Sequence, residues 1–182
     1  MRLLLFIIFT LFVGLATAQE VQMNEVRPGK IGISIYYKDT LLSIGSNKLK
    51  IVIDEQSNEI VIRLEPSTLK TGIDSLDRKL QAGFLPEAVY VGTIGLDKIW
   101  ETGERARSFE VEGDLNINEV KQPITMFGSI QESQQGMGIN GLLYLHFDPE
   151  LSAFGLNETL PDFADFGCVE ILQPISIANS RH

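Results

Sequence analysis

"FEVEGDLNINEVKQPITM", Phe109 to Met126, decides how this chain is read. Apolar Phe109, Val111, Leu115 and Ile117 alternate with Glu110, Glu112, Asp114 and Asn116, so a strand here has one apolar face and one face carrying three carboxylates. A breaker stretch from Asn118 to Gln122 turns the chain, and Pro123 opens a second run at a strand's first position, where its missing N–H is tolerated. The unit is a hairpin whose apolar face must cover either a packed core or a guest.

The same period of two recurs elsewhere. Ile31, Ile33 and Ile35 alternate, as do Leu49, Ile51 and Ile53, and then Ile60, Ile62 and Leu64. Breakers at Asp54 to Asn58, Asn118 to Gln122 and Gln131 to Gly138 separate the runs. About eight short strands at this spacing predict an all-β antiparallel sheet, closed or sandwiched. One segment departs from the pattern. In "TGIDSLDRKLQAG" Ile73, Leu76 and Leu80 fall on one helical face, Thr71 and Asp74 stand like a capping box, and Gly83 stops the run. The expectation is one short amphipathic helix lying on or across an end of the barrel. There is no internal repeat, linker or low-complexity tract, so a single domain follows.

The first residues have a different character. Arg2, an apolar run from Leu3 to Val13, and Ala16-Thr17-Ala18 form the three parts of a signal peptide over 1–18. The run is short for a membrane span, and no Cys follows it to take a lipid. The mature domain is then 19–182, soluble and without stable membrane insertion after cleavage, long enough to bury a core of its own. Without Arg2 the 15 basic residues become 14 against 24 acidic ones, a net charge of −10. That balance repels phosphate backbones and anionic surfaces, which excludes nucleic acid as a partner.

Chemistry-bearing motifs are sparse. Cys168 is the single cysteine, so no intrachain disulfide forms, and it reads as a small buried thiol at the start of a strand. "GMGING", Gly136 to Gly141, has the G-x-G-x-x-G spacing, but "QESQQ" before it and strand-like "LLYLHF" after it make it a hairpin connection; no dinucleotide or other cofactor is expected. "DFG" at Asp165 to Gly167 lacks the other kinase elements. The acids of the hairpin are spread along a strand, and no short spacing joins His146 with Cys168, so no metal site is expected. Beyond position 18 the only histidines are His146 and His182, and His146 reads as a partly exposed strand residue. No catalytic residues are assigned, and the chain reads as a non-enzyme. Phe163 and Phe166, in the loop-like "LPDFADFG", and Trp100 are candidates for a barrel mouth or for loop anchors. "NET" at Asn157 fits a glycosylation acceptor that would matter only in a eukaryotic host.

"LKTGIDSLDRKL", "LPEAVYV", "VEGDLNINEVKQPITM", "LSAFGL" and "CVEILQPISI" follow one another in an order that resembles the YceI-like family of exported bacterial proteins, from about Ile31 to Ile177. Gly113-Asp114-Leu115 with Lys121-Gln122-Pro123-Ile124 matches the family's "GDL…KP(V/I)T" pattern, and Thr71-Gly72 with Asp77 and Leu80 matches a second piece. The chain departs from the pattern at Lys79 and Gln81, where the family usually has His and Arg, in a shorter segment around Gly83-Phe84, and in a first strand without the common terminal His. The resemblance implies a lipocalin-like antiparallel β-barrel with a short helix, in the periplasm or secreted, holding a long isoprenoid or fatty-acyl molecule inside. If the apolar faces line that cavity, the ligand contacts come from Ile60, Ile62 and Leu64, from Phe109, Val111 and Leu115, and from Leu143, Leu145 and Phe147. The odd-numbered set in the last group keeps His146 outside; Leu142 with Tyr144 is the opposite register. Two other functions stay open on sequence alone: a ligand-free interaction or structural domain with a filled core, and a lipid hydrolase that would have to use His146.

Overall fold

The computed structural model describes residues 28–54, 56–95, 106–133 and 139–177. The leader at 1–18, Trp100, Gly136 to Gly138 of "GMGING" and His182 lie outside them. Eight strands follow one another along the chain: β1 (Gly29–Tyr37), β2 (Thr40–Asp54), β3 (Glu59–Leu64), β4 (Ala88–Thr93), β5 (Ala106–Ile117), β6 (Val120–Ser133), β7 (Ile139–Phe147) and β8 (Phe163–Ile177). Helix α1 (Asp74–Gln81) lies between β3 and β4. Each strand pairs antiparallel with the next, and β8 pairs back onto β1 with Ile31 opposite Ile171, which closes the barrel. Closure leaves no sheet edge exposed.

Two of the connections are as tight as hairpins permit. Lys38 and Asp39 have φ of 48° and 62°, and Asn118 and Glu119 have φ of 54° and 65°. Two left-handed residues in succession give the turn whose twist matches the flanking strands. The hairpin read first therefore turns on Asn118 and Glu119 alone. Ile117 already pairs with Val120, and Pro123 sits inside β6, exposed and opposite Asp114, rather than at its start.

Strand parity sends one set of side chains inward on every strand. Ile60, Val111, Leu143 and Leu145 are wholly buried, as are Leu49 and Ile94. In β2 the inward set changes parity. Gly29 pairs with Leu49 but Ile31 pairs with Ser46, so β2 holds one extra residue there. The bulge lets Leu49 and Ile51 face inward below it and Ile44 above it. A larger register slip, between Ile35–Gly167 and Tyr37–Phe163, lies near the start of β8.

Three further details differ from the sequence reading. Thr71 is partnered by Asp77, not Asp74: its N–H and its hydroxyl both donate to Asp77 Oδ1, at 2.7 and 2.8 Å, while the hydroxyl oxygen accepts the Ile73 N–H at 3.0 Å. Those bonds hold the Asp77 carboxyl below the usual carboxylate range. Phe163 and Phe166 belong to β8 itself, where Phe163 pairs with Tyr37 of β1, and Asp165 between them accepts the N–H and the hydroxyl of Ser152 at 2.7 and 2.8 Å. Cys168 is half-buried and well inside β8, not at its start; burial, with Asp148 beside it, pushes its thiol pKa up. Gly83, with φ of 77°, ends α1 as expected.

Among the described residues Tyr90 is the largest fully buried side chain. Its hydroxyl donates to the Val111 carbonyl at 2.8 Å, with the Ile124 carbonyl at 3.3 Å. Burial pushes its pKa up to about 12, and the nearby Asp114 and Glu112 add to the effect. The unfolded chain releases this proton near pH 10. Tyr90 therefore contributes stability that is complete below about pH 10 and lost as pH rises through about 12. In Tyr90→Phe, urea midpoints measured across this range should lose that part of the alkaline decline, with a cost of about 1 kcal/mol at neutral pH from the lost hydrogen bond to the Val111 carbonyl. An unchanged alkaline profile would show that another group carries it.

Candidate functional site: an apolar cavity under the helix

The barrel is half filled and half hollow. A cavity of about 200 Å³ occupies the half beneath α1 and the β7–β8 connection. Every strand contributes to its wall, including Ile31, Ile33 and Ile35 of β1, Ala88 and Tyr90 of β4, Met126 of β6, and Val169 and Ile171 of β8. Leu76 and Leu80 of α1 cover it, with Phe84, Leu85 and Pro86 just after the helix. Leu151, Phe154, Leu156 and Leu160 from the β7–β8 connection complete the rim. The opposite half holds Ile60, Ile94, Val111, Leu143 and Leu145, each wholly buried against its neighbours.

Of the nine residues expected to contact a ligand, Ile62, Leu64, Leu115 and Phe147 line the cavity. Ile60, Val111, Leu143 and Leu145 point into the barrel but lie in the filled half. Phe109 also packs on the core, its ring so close to Gly128 that a Cβ there would come within 2.5 Å of it. The odd register of β7 is the inward one, for Leu142 is 38% exposed and Tyr144 donates to Glu170 on the outer wall at 2.8 Å. His146 shares that outer wall, with the Phe127 and Tyr144 rings each 5.6 Å away. Phe163 lines the cavity and packs on Tyr37 at 4.9 Å between centroids, while Phe166 is 66% exposed.

The wall offers hydrocarbon almost everywhere. Thr71 faces the cavity, but its hydroxyl is committed to Asp77 and Ile73. Tyr90 presents its ring, its hydroxyl being bonded to the barrel wall. Among the described residues Lys79 of α1 is the one lining residue with a charged side chain, and it is exposed. Such a wall favours an apolar guest in proportion to the area it removes from water. Sequence periodicity pointed to the strand contributions and to a helix across an end of the barrel, but it missed the β7–β8 connection as a wall. The available signal was the run of Leu151, Phe154, Leu156 and Leu160, more apolar residues than a solvated loop needs.

An eight-stranded up-and-down barrel with an apolar hollow is a barrel of the lipocalin kind, just wide enough for one small ligand. Among solved structures the fold is that of the YceI proteins and of a polyisoprenoid-binding domain. The polyisoprenoid binding domain from Saccharophagus degradans, implicated in plant cell wall breakdown, superposes with a TM-score of 0.70 at 11% identity, over 85% of this chain and 97% of that one. BcnA of Burkholderia cenocepacia gives 0.58 at 13% identity, over 81% and 96% of the two chains. A YCEI protein of Campylobacter jejuni gives 0.50 at 16% identity, over 88% and 90%. No family model matches the sequence, and no curated protein does.

Proposed function

We propose that the protein is a non-catalytic carrier that holds an apolar chain, isoprenoid or fatty-acyl, in the cavity under α1. The observation that carries this is a hollow walled by hydrocarbon in a barrel whose other half is packed solid. The contacts are Ile62, Leu64, Leu115 and Phe147 from the original set, joined by Ile31, Ile33, Val169 and the residues of the rim. At about 200 Å³ the hollow is larger than the ~150 Å³ apolar cavity that admits benzene. It is smaller than the ~300–1,000 Å³ usual for ligand pockets. A long chain is therefore seated by displacing the rim, where Phe84, Leu85 and Leu151 are held by connections rather than by strand ladders. Each methylene buried contributes about 0.8 kcal/mol, so ten give a gross ~8 kcal/mol before ordering costs. His146, on the outer wall, faces away from any such guest, which weighs against the hydrolase reading. The same reading makes this an exported protein, periplasmic or secreted, that loses residues 1–18.

Ala88→Phe tests it. Ala88 lines the cavity, so the added ring fills the hollow without disturbing the packed half. Native mass spectrometry of the exported parent should show the chain without its leader and with a co-purified lipid. The variant should show the same chain empty, with a melting temperature equal or higher. A parent that never carries a lipid, or a variant that keeps its load, would count against the carrier, and an uncleaved chain would count against export.

A further inference from the structure

The cavity wall constrains what its guest carries at its polar end. Among the described residues the two lining side chains that carry a hydroxyl have already used it: Thr71 with Asp77 and Ile73, and Tyr90 with the Val111 carbonyl. A polar atom placed deep in the barrel would be buried without a partner, at a cost of roughly 1–3 kcal/mol. The guest must therefore be hydrocarbon along its buried length and keep its polar group at the mouth. At that mouth stands Lys79, in the last turn of α1, with its ammonium 5.7 Å from the centroid of the Phe84 ring. Phe84 also lines the cavity, so the ring that receives the cation is part of the rim. Lys38, Lys50, Arg63 and Lys121 are all engaged in ion pairs, with Asp162, Glu65, Glu87 and Asp114. Among the described residues Lys79 makes no ion pair, as is true of Lys30, Lys48, Lys70 and Arg78, but of these Lys79 alone lines the cavity.

We propose that the guest is an anionic single-chain amphiphile, its tail in the barrel and its carboxylate or phosphate at the mouth against the Lys79 ammonium. The proposal rests on the carrier reading and adds the charge of the head group to it. The net charge of −9 opposes an anion at long range, but that field is screened beyond about 8 Å in physiological salt. A contact at hydrogen-bonding distance from Lys79 is not.

The test is displacement of a neutral fluorophore, N-phenylnaphthylamine, from the full-length purified protein by matched chains below their aggregation concentrations. One pair is hexadecanoate and hexadecanol, the other farnesyl phosphate and farnesol. In at least one pair the anion should bind roughly five- to tenfold more tightly than its alcohol. Lys79→Gln should close the gap by weakening the anion alone, and Lys79→Arg should preserve it. The pair that shows the gap identifies the source as a fatty carboxylate or an isoprenyl phosphate. Equal binding of acid and alcohol overturns the proposal while leaving the carrier intact. So does a Lys79→Gln variant that weakens both members of a pair alike, because Lys79 would then act through its packing on Phe84. If no chain displaces the fluorophore, the carrier reading falls as well.

Discussion

Leu143→Asn is expected to lower stability by about 4 kcal/mol or more, a fall in Tm of roughly 8–16 °C for a domain of this size. Leu143 is wholly buried and lies outside the cavity. The substitution removes packed methyl groups and leaves an amide where no water can reach it. Natural domains have only ~5–15 kcal/mol in hand, so much of the population could unfold at growth temperature. Leu115→Asn is the companion, because Leu115 faces the hollow and so has less packing to lose on its inner side, although the new amide finds no partner there either. It should cost clearly less in Tm and abolish lipid retention. Thermal melts and lipid extraction on both variants check the pair. A Leu143→Asn protein melting within about 3 °C of the parent would mean that the far half of the barrel is not packed.

Gly113→Ala should be nearly as damaging, at about 3 kcal/mol. A Cβ on Gly113 would lie 2.3 Å from the Val91 carbonyl oxygen, 2.5 Å from Gly92 Cα and 2.7 Å from the Tyr90 hydroxyl. Two of those neighbours are backbone in the adjacent strand, so the ladder between β4 and β5 must spread to make room. Gly32→Ala is the control. Nothing lies within 4 Å of its would-be Cβ, and the change should be neutral or slightly stabilising. Urea midpoints compare the two. Equal, small effects would show that β4 and β5 can separate without penalty. The clash also gives a physical reason for glycine in the Gly113-Asp114-Leu115 motif, where Tyr90 reaches across the wall of the barrel.

How much of this was legible in the sequence depended on whether alternation ran unbroken. Phe109 to Ile117, Ile60 to Leu64 and Leu143 to Phe147 keep strict parity, and each faces inward as their alternation implied. Where a bulge interrupts parity, the sequence misleads. Asn47 and Lys48 hide the upper half of β2, and the acids of "LPDFADFG" disguise the start of β8 as a loop. The closed eight-stranded order agrees with the resemblance to the YceI-like family. Which inward residues surround empty space was beyond reach. Val111 and Leu115 are equivalent in pattern, and only the depth at which α1 and the β7–β8 connection cap the barrel separates a packed position from a hollow one.

The seam where β8 meets β1 has a kinetic consequence. All the other strand pairs join neighbours in the chain, so each can form by closing a comparatively short loop. The pairing of Ile31 with Ile171 requires the two ends of the domain to find each other, the most costly closure in the molecule. Until it forms, β1 and β8 present unpaired backbone beside rows of isoleucine and valine, the kind of edge that recruits other chains. The time to close that one seam sets how long the folding chain stays open to aggregation.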